Sequence, residues 1–428
     1  MPKIFATMKK IISLMAILVL FAACKKDSES SEKKEIFGRT VIVYMSGENN
    51  LDQLGVLDQD LLEMRRASKQ IPASDRLVVY VDRLSRSETP FIAEIKNAAC
   101  DTIMHYANDF YSSDPENFHN IIKTIEEKYP SQEYALVLWG HATSWLVDKD
   151  TVASATAKAR QQRRAYGQDC GDNTVYGPEK WLNITQMRRE LAKLPKFSYI
   201  FADCCCMMSV ETAYELRNVT DYLIGSPAEI PGDGAPYDKI MDELFSRNTT
   251  FYQSIIDKYY DYYMELYRTP EYANSTYDSY LTGYSVPLSV VDMKHIGELA
   301  QATRNLLKEP GEYTFEQVPY YFYMDLPVCY DMACLLEANS TAVEFETWKR
   351  AFDLAVPYRR LSNRWMTIYD EIQLSQENNG FIFNKDNYGG VSMFVPRSIY
   401  DSSYWFIYNA ALPSFEWSQA VGWNRFGY

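Results

Sequence analysis

Five runs of mostly apolar residues punctuate the chain up to residue 225: Thr40–Met45, Arg76–Val81, Tyr134–Trp139, Phe197–Ala202 and Tyr222–Gly225. They are rich in Val, Ile and Tyr and do not alternate with polar residues, so each predicts a strand buried on both faces. The intervals carry helical periodicity. Ile184, Met187, Leu191 and Leu194 recur at i, i+3, i+7 and i+10, which sets one apolar stripe against a sheet. Strands alternating with such helices predict an α/β fold, a mostly parallel sheet flanked by helices.

From about residue 241 the pattern changes. Residues 251–268 (FYQSIIDKYYDYYMELYR) read as a Tyr-dense helix and residues 343–373 as a second helical block. Ser285–Val291 and Gly390–Val395 read as strands returning to the sheet. The chain therefore divides into a core at 37–240 and a helical, Tyr-rich region at 241–428 with returning strands. The 34 tyrosines raise the idea of glycan-stacking platforms. Tyr252, Ile256, Tyr259, Tyr263 and Tyr267 recur at steps of three or four, however, which assigns them to core packing with polar tips.

The amino terminus follows another logic. Lys3, Lys9 and Lys10 precede a 13-residue apolar run, Ile11–Ala23, which is shorter than the roughly 20 residues a membrane span needs. Residues 1–23 are therefore predicted to be a secretion signal. The sequence Leu20-Phe21-Ala22-Ala23-Cys24 resembles a bacterial lipobox, which implies cleavage before Cys24 and lipidation of its thiol. Residues 24–36, polar and without aromatics until the fold begins, form the lipidated Cys and a flexible tether. The expected location is the bacterial cell envelope, lipid-anchored, on the periplasmic side or the cell surface.

With 47% hydrophobic and 23% charged residues the chain is globular rather than disordered. Loss of residues 1–23 removes three lysines and no acid, taking the formal charge from −14 to −17. That charge repels nucleic acid and attracts basic peptides. Seven cysteines remain after Cys24, an odd number in a chain too large to need staples. Mostly free thiols are expected, with at least one chemically employed. With no C-x-x-C and only four His, a structural zinc site is not expected.

Two strands end in reactive residues. His141 follows Tyr134–Gly140, and Cys204, Cys205 and Cys206 follow Tyr199–Asp203. Ligands of open parallel sheets collect beyond the carboxyl ends of the strands. A thiol and an imidazole meeting there suffice for attack on a carbonyl, and Ser209 reads as the N-cap of a helix that favours a thiolate.

The segments Thr40–Leu51 (TVIVYMSGENNL), Leu136–Trp145 (LVLWGHATSW), Phe201–Leu216 (FADCCCMMSVETAYEL) and Gly225–Tyr237 (GSPAEIPGDGAPY) resemble the clostripain family of cysteine peptidases, relatives of caspases and gingipains. The likeness implies a caspase-like fold and a dyad of His141 and Cys205, the middle Cys matching the family's nucleophile. It implies an oxyanion site at the backbone N–H groups of Ala142 and Cys205, and Asp203 and Asp233 as substrate-binding carboxylates for Arg or Lys. Glu211, which also fits the pattern, reads as a first-turn helix residue without a chemical role. The family's usual His-Gly-Ser-Gly-Trp becomes His141-Ala142-Thr143-Ser144-Trp145, so a strained Ala142 is expected if the family Gly has positive φ. Met208 likewise replaces a Gly.

The implied function is a hydrolase, a cysteine endopeptidase acting on protein or peptide substrates with basic residues, tied to the membrane through its lipid anchor and without nucleic acid. A catalytically weak or inactive peptide or glycan receptor on the same fold is the alternative, and an esterase or acyl-transfer enzyme a third. The basic stretch Lys158, Arg160, Arg163 and Arg164 is a candidate self-processing site. No cofactor is expected. Some family members use calcium, but no EF-hand pattern is present and the sequence assigns no site.

Overall fold

The computed structural model describes residues 35–84, 88–145, 165–171, 179–274, 285–323, 326–362, 365, 388–403 and 406–428. The signal segment, Cys24 and nearly all of the tether lie outside the described residues, as do Lys158, Arg160, Arg163, Arg164 and the end of the 343–373 block.

In chain order the strands are β1 (Phe37–Gly47), β2 (Arg76–Arg83), β3 (Phe91–Lys96), β4 (Ala99–His105), β5 (Ser131–Gly140), β6 (Tyr166–Asp169), β7 (Lys180–Leu182), β8 (Tyr199–Asp203), β9 (Tyr222–Gly225), β10 (Leu288–Asp292), β11 (Tyr320–Tyr323), β12 (Pro327–Asp331), β13 (Tyr358–Arg360) and β14 (Ser392–Met393). Nine form one sheet in the order β13-β10-β9-β8-β5-β1-β2-β3-β4. Its centre, β9-β8-β5-β1-β2, is parallel throughout. Two antiparallel strands flank it on each side. The five apolar runs of the sequence are these five central strands, because only they are covered on both faces.

Along β1 the side chains divide by period two between two cores. Ile42 and Tyr44 join one, with the helices Pro115–Lys128, Ile184–Leu191 and Val210–Leu216. Val41, Val43 and Met45 join the other, with Val56–Ala67, Tyr237–Leu244 and Phe251–Leu266. Tyr252, Tyr259, Tyr263 and Tyr267 are all buried in the second core, as their spacing predicts.

The returning strands split. β10 joins the main sheet beside β9, whereas Ser392–Met393, the strand within the 390–395 run, pairs with β12 in a separate three-stranded sheet. That small sheet meets the segment that follows β8: the Ser392 N–H donates to the Met208 carbonyl at 3.0 Å, and Ser209 bridges Ser392. The carboxyl-terminal region thereby buttresses the segment that follows Cys205.

Candidate active site

β5 and β8 are neighbours in parallel register, with Trp139 opposite Asp203. His141 and Cys205 therefore stand at the same height, each two residues beyond that pair, past the carboxyl ends of adjacent strands. His141 is half-buried, and its Nε2 lies 2.6 Å from Asn50 Oδ1. Asn50 begins the short helix Asn50–Gln53 just beyond β1, and its neighbour Asn49 caps that helix by accepting the Leu51 N–H at 2.9 Å. Sequence reasoning included Asn50 in a motif but gave it no role; its place beyond the strand next to β5 was the available signal.

The seven cysteines are free thiols, and of the consecutive three only Cys205 reaches the surface, Cys204 and Cys206 being core residues. The helix Val210–Leu216 starts as predicted, with Ser209 Oγ accepting the Thr212 N–H at 3.1 Å. Its positive end does not dominate Cys205. Burial pushes the Cys205 thiol up to about 12, with the carboxylates of Glu229 and Asp203 adding to the shift and the Ile230 N–H opposing it. That N–H approaches Sγ at 3.4 Å, and the thiol faces the Ile230 carbonyl at 3.9 Å. At rest Cys205 is thus a protonated thiol resting against the Glu229–Ile230 segment.

Ala142 pairs with Tyr166 of β6 through a bridge whose two hydrogen bonds belong to its neighbours: Thr143 N–H to Ala165 O at 3.0 Å, and Gly167 N–H to His141 O at 2.8 Å. In an antiparallel pair of this kind the central residue's own N–H points away from the partner strand. The Ala142 N–H is therefore not consumed by β6. The Cys205 N–H makes no backbone hydrogen bond among the described residues.

The expected strain falls elsewhere in this loop. Positive φ occurs at Ser144 (63°) rather than at Ala142, and again at Cys206 (57°) beside Cys205. An L-residue in this region costs about 1–2 kcal/mol. Ser144→Gly is expected to raise stability by about 1 kcal/mol, after allowing for the extra freedom of Gly in the unfolded chain, as measured by urea unfolding. Met208 is fully buried in the core.

The two predicted substrate carboxylates separate. Asp203 is buried, and its oxygens accept from Ala235 N–H (3.2 Å), Tyr237 OH (2.8 Å) and Tyr259 OH (3.3 Å). Burial still pushes it up to about 6 against these donors. In this conformation its bonds fasten the 231–237 loop rather than meeting a ligand. Asp233 is exposed and lines a cavity of about 220 Å³ with Gln59, Glu63, Gly234, Pro236 and Tyr262. Gly234, at φ 62°, lies directly over Asp203, where a Cβ would stand 3.1 Å from Oδ2. Below it Asp60 accepts the Trp139 indole N–H at 2.5 Å and leaves its other oxygen buried without a hydrogen-bond partner. Burial, then the nearby Asp203, raises Asp60 well above the usual carboxylate range, and burial raises Glu63. Asp60 and Glu63 were not singled out in the sequence, being two acids on an ordinary amphipathic helix.

The loop carrying His141 ends on Trp145, fully buried among Phe394, Tyr408 and Phe415 at centroid distances of 5.5, 4.5 and 4.7 Å. Glu211 lies close by, also fully buried, and accepts the Phe394 N–H at 2.9 Å. It stands in the first turn of its helix as the sequence predicts, and burial pushes it up to about 7, with the Phe394 N–H the strongest opposing influence.

The model of the clostripain family matches residues 43–412. Among solved structures, a secreted C11 cysteine protease from Bacteroides thetaiotaomicron in complex with an irreversible peptide inhibitor is 27% identical, with a TM-score of 0.72 over 91% of this chain and 99% of that one. An inactive zymogen C11 protease from Parabacteroides distasonis, 23% identical, gives 0.70 over 90% and 98%. A second secreted C11 cysteine protease from B. thetaiotaomicron, iotapain, gives 0.68 at 18% identity over 90% and 99%. A comparison with curated proteins finds no match.

Proposed function

Because the chain belongs to the clostripain family and is a cysteine peptidase, we propose that it cleaves peptide bonds after Arg or Lys through Cys205 and His141. The observation that carries this reading is the matched placement of the two residues past adjacent parallel strands. Cys205 Sγ attacks the scissile carbonyl carbon while its proton passes to His141. The C–N bond breaks as His141 returns that proton to the leaving amine, leaving a thioester. Water then gives a proton to His141 and its oxygen to the carbonyl, and the sulfur leaves and is reprotonated. The Ala142 and Cys205 N–H groups hold the oxyanion, a contribution of about 3–4 kcal/mol per donor.

Recognition of the basic residue is assigned to the acidic cavity beside Asp233. Glu63 shares its wall and the buried carboxyl groups of Asp60 and Asp203 lie beneath, so a guanidinium or ammonium meets the Asp233 carboxylate and favours the ionised form of the carboxyls whose burial raises them. Asp233→Asn is expected to raise KM for Arg and Lys amides about tenfold and to leave any turnover of a neutral amide unchanged. The test of the function itself is turnover of fluorogenic Arg, Lys and neutral amides, with an Arg-directed covalent thiol probe to map the modified residue. Labelling of Cys100 or Cys170 alone, or preference for the neutral amide, sinks the reading.

The resting thiol, pushed up to about 12, favours one second reading, a weakly active or inactive receptor for basic peptides. Saturable binding without turnover would decide for it. No helix among the described residues is long and apolar enough to cross a membrane. Two neighbours described as secreted support a place outside the cytoplasm, and attachment to the envelope through a lipid on Cys24 completes the proposal.

A further inference from the structure

The segment between β9 and the helix Tyr237–Leu244 runs past Cys205 before it reaches the cavity beside Asp233. The Cys206 N–H donates to Ala228 O and the Met208 N–H to Ser226 O, both at 2.9 Å, so residues 226–228 lie along the turn that carries the thiol. Ile230 then meets Cys205 Sγ with its N–H at 3.4 Å and its carbonyl at 3.9 Å. A tight turn follows, closed by the Gly234 N–H on Pro231 O at 3.0 Å, and it presents Asp233. One side chain on this path is unpaired. Glu229, directly before Ile230, is half-buried, and no described residue gives its carboxyl group a hydrogen bond or an ion pair. Burial, opposed by no donor and no cation, pushes it up to about 7.

An acid drawn partly out of water without a partner destabilises the fold, and the charge of this one also opposes ionisation of the Cys205 thiol. A cation brought by the substrate removes both penalties. The sheet fixes the direction from which it comes. In the proposed cleavage His141, past β5, protonates the leaving amine, so the peptide beyond the cut bond extends over β5. The peptide before the bond extends the other way, across β8 toward β9, and its basic side chain enters the cavity beside Asp233. Glu229 stands on that same side of Cys205, four residues before Asp233. Four residues of chain reach at most about 14 Å, and the turn shortens this. Neighbouring side chains of an extended peptide point to opposite faces, so two consecutive basic residues can engage the two acids at once.

We infer that Glu229 selects a second basic residue, immediately before the one at the cleaved bond, so that the preferred substrates carry paired Arg or Lys residues and are cut after the second. This rests on the proposed cleavage at Cys205 and on Asp233 as the acid for the first basic residue. The second cation pairs with a carboxylate that nothing in the protein neutralises, which favours it over an alanine at the same place. Pairing also removes one of the charges that hold Cys205 protonated. The gain from the second basic residue is therefore expected in kcat as well as in KM.

The experiment compares three fluorogenic amides on the full chain, Ala-Ala-Arg, Ala-Arg-Arg and Arg-Ala-Arg, at about pH 8, where Glu229, pushed up to about 7, is mostly ionised. Ala-Arg-Arg is expected to exceed Ala-Ala-Arg in kcat/KM by about fivefold or more, and Arg-Ala-Arg to stay near Ala-Ala-Arg. In Glu229→Gln the ratio of the first two should fall to about one, and Glu229→Asp should keep part of it. Because the ratio compares two substrates on one protein, an effect of the substitution on folding or on the thiol cancels. A wild-type ratio near one overturns the inference, as does a ratio that survives Glu229→Gln. An equal gain for Arg-Ala-Arg also overturns it, because it would mark general attraction to an acidic protein. Calorimetric binding of the same amides to Cys205→Ala gives the preference without turnover. If wild type cleaves none of the three, a binding preference that Glu229→Gln abolishes upholds the selection and counts against the proteolytic reading alone, whereas equal binding overturns the selection.

Discussion

Cys205→Ala is expected to lower kcat/KM for an Arg or Lys amide by at least about 10³-fold, and His141→Ala by a similar factor, because nucleophile and base act as one unit. The two changes together should cost little more than either alone. The flanking thiols are the controls that make this informative. Cys204 and Cys206 are buried in the core and cannot reach a substrate without unfolding their surroundings. Cys204→Ala and Cys206→Ala should therefore retain turnover while losing about 1–2 kcal/mol of stability each. The resting state of Cys205 adds a second readout. With the thiol pushed up to about 12, the thiolate fraction grows with every pH unit through the neutral and mildly alkaline range. Alkylation by iodoacetamide should accordingly be slow at pH 7 and still be accelerating about tenfold per unit at pH 9. A fast, pH-independent alkylation would mean a preformed thiolate, and loss of turnover in Cys204→Ala with retention in Cys205→Ala would move the nucleophile one position along.

What the sequence disclosed depended on how much of each strand is buried. The five central strands announced themselves because both faces of each meet a core, which leaves little room for polar residues. The hairpin β3–β4 did not: Ala99–His105, on the flank of the sheet, is half-buried or exposed at every position, and its residues carry no apolar run. β13 is only Tyr358–Arg359–Arg360, and its strand character comes wholly from pairing with β10. At the candidate site, the strand ends placed His141 and Cys205 at one edge of the sheet, since parallel topology alone sets them at the same height. Glu211 reads correctly as a first-turn helix residue, but its burial was not legible, because Phe394 and Trp145, which cover it, lie far away in the chain.

The other large effect is expected at Trp145, and it is one of stability before chemistry. Trp145→Ala removes a fully buried indole that meets Phe394, Tyr408 and Phe415. Truncation of a buried aromatic of this size costs about 3–5 kcal/mol, a large share of the roughly 5–15 kcal/mol that typically holds a domain together. Trp145→Phe keeps a ring in the aromatic cluster and should lose markedly less. The functional consequence follows from position. Trp145 closes the loop that begins at His141, and Phe394, against which it packs, is fastened by Glu211 at the start of the helix beyond Cys205. Removing the indole loosens both strand-end segments from the carboxyl-terminal region at once. Where Trp145→Ala still folds at low temperature, kcat should fall at least about tenfold, since displacing a catalytic group by an ångström carries a penalty of up to about a hundredfold. Urea unfolding of the two variants together with kcat at 10 °C would check this, and wild-type turnover in a strongly destabilised Trp145→Ala chain would show that the His141 loop holds its shape without the carboxyl-terminal half.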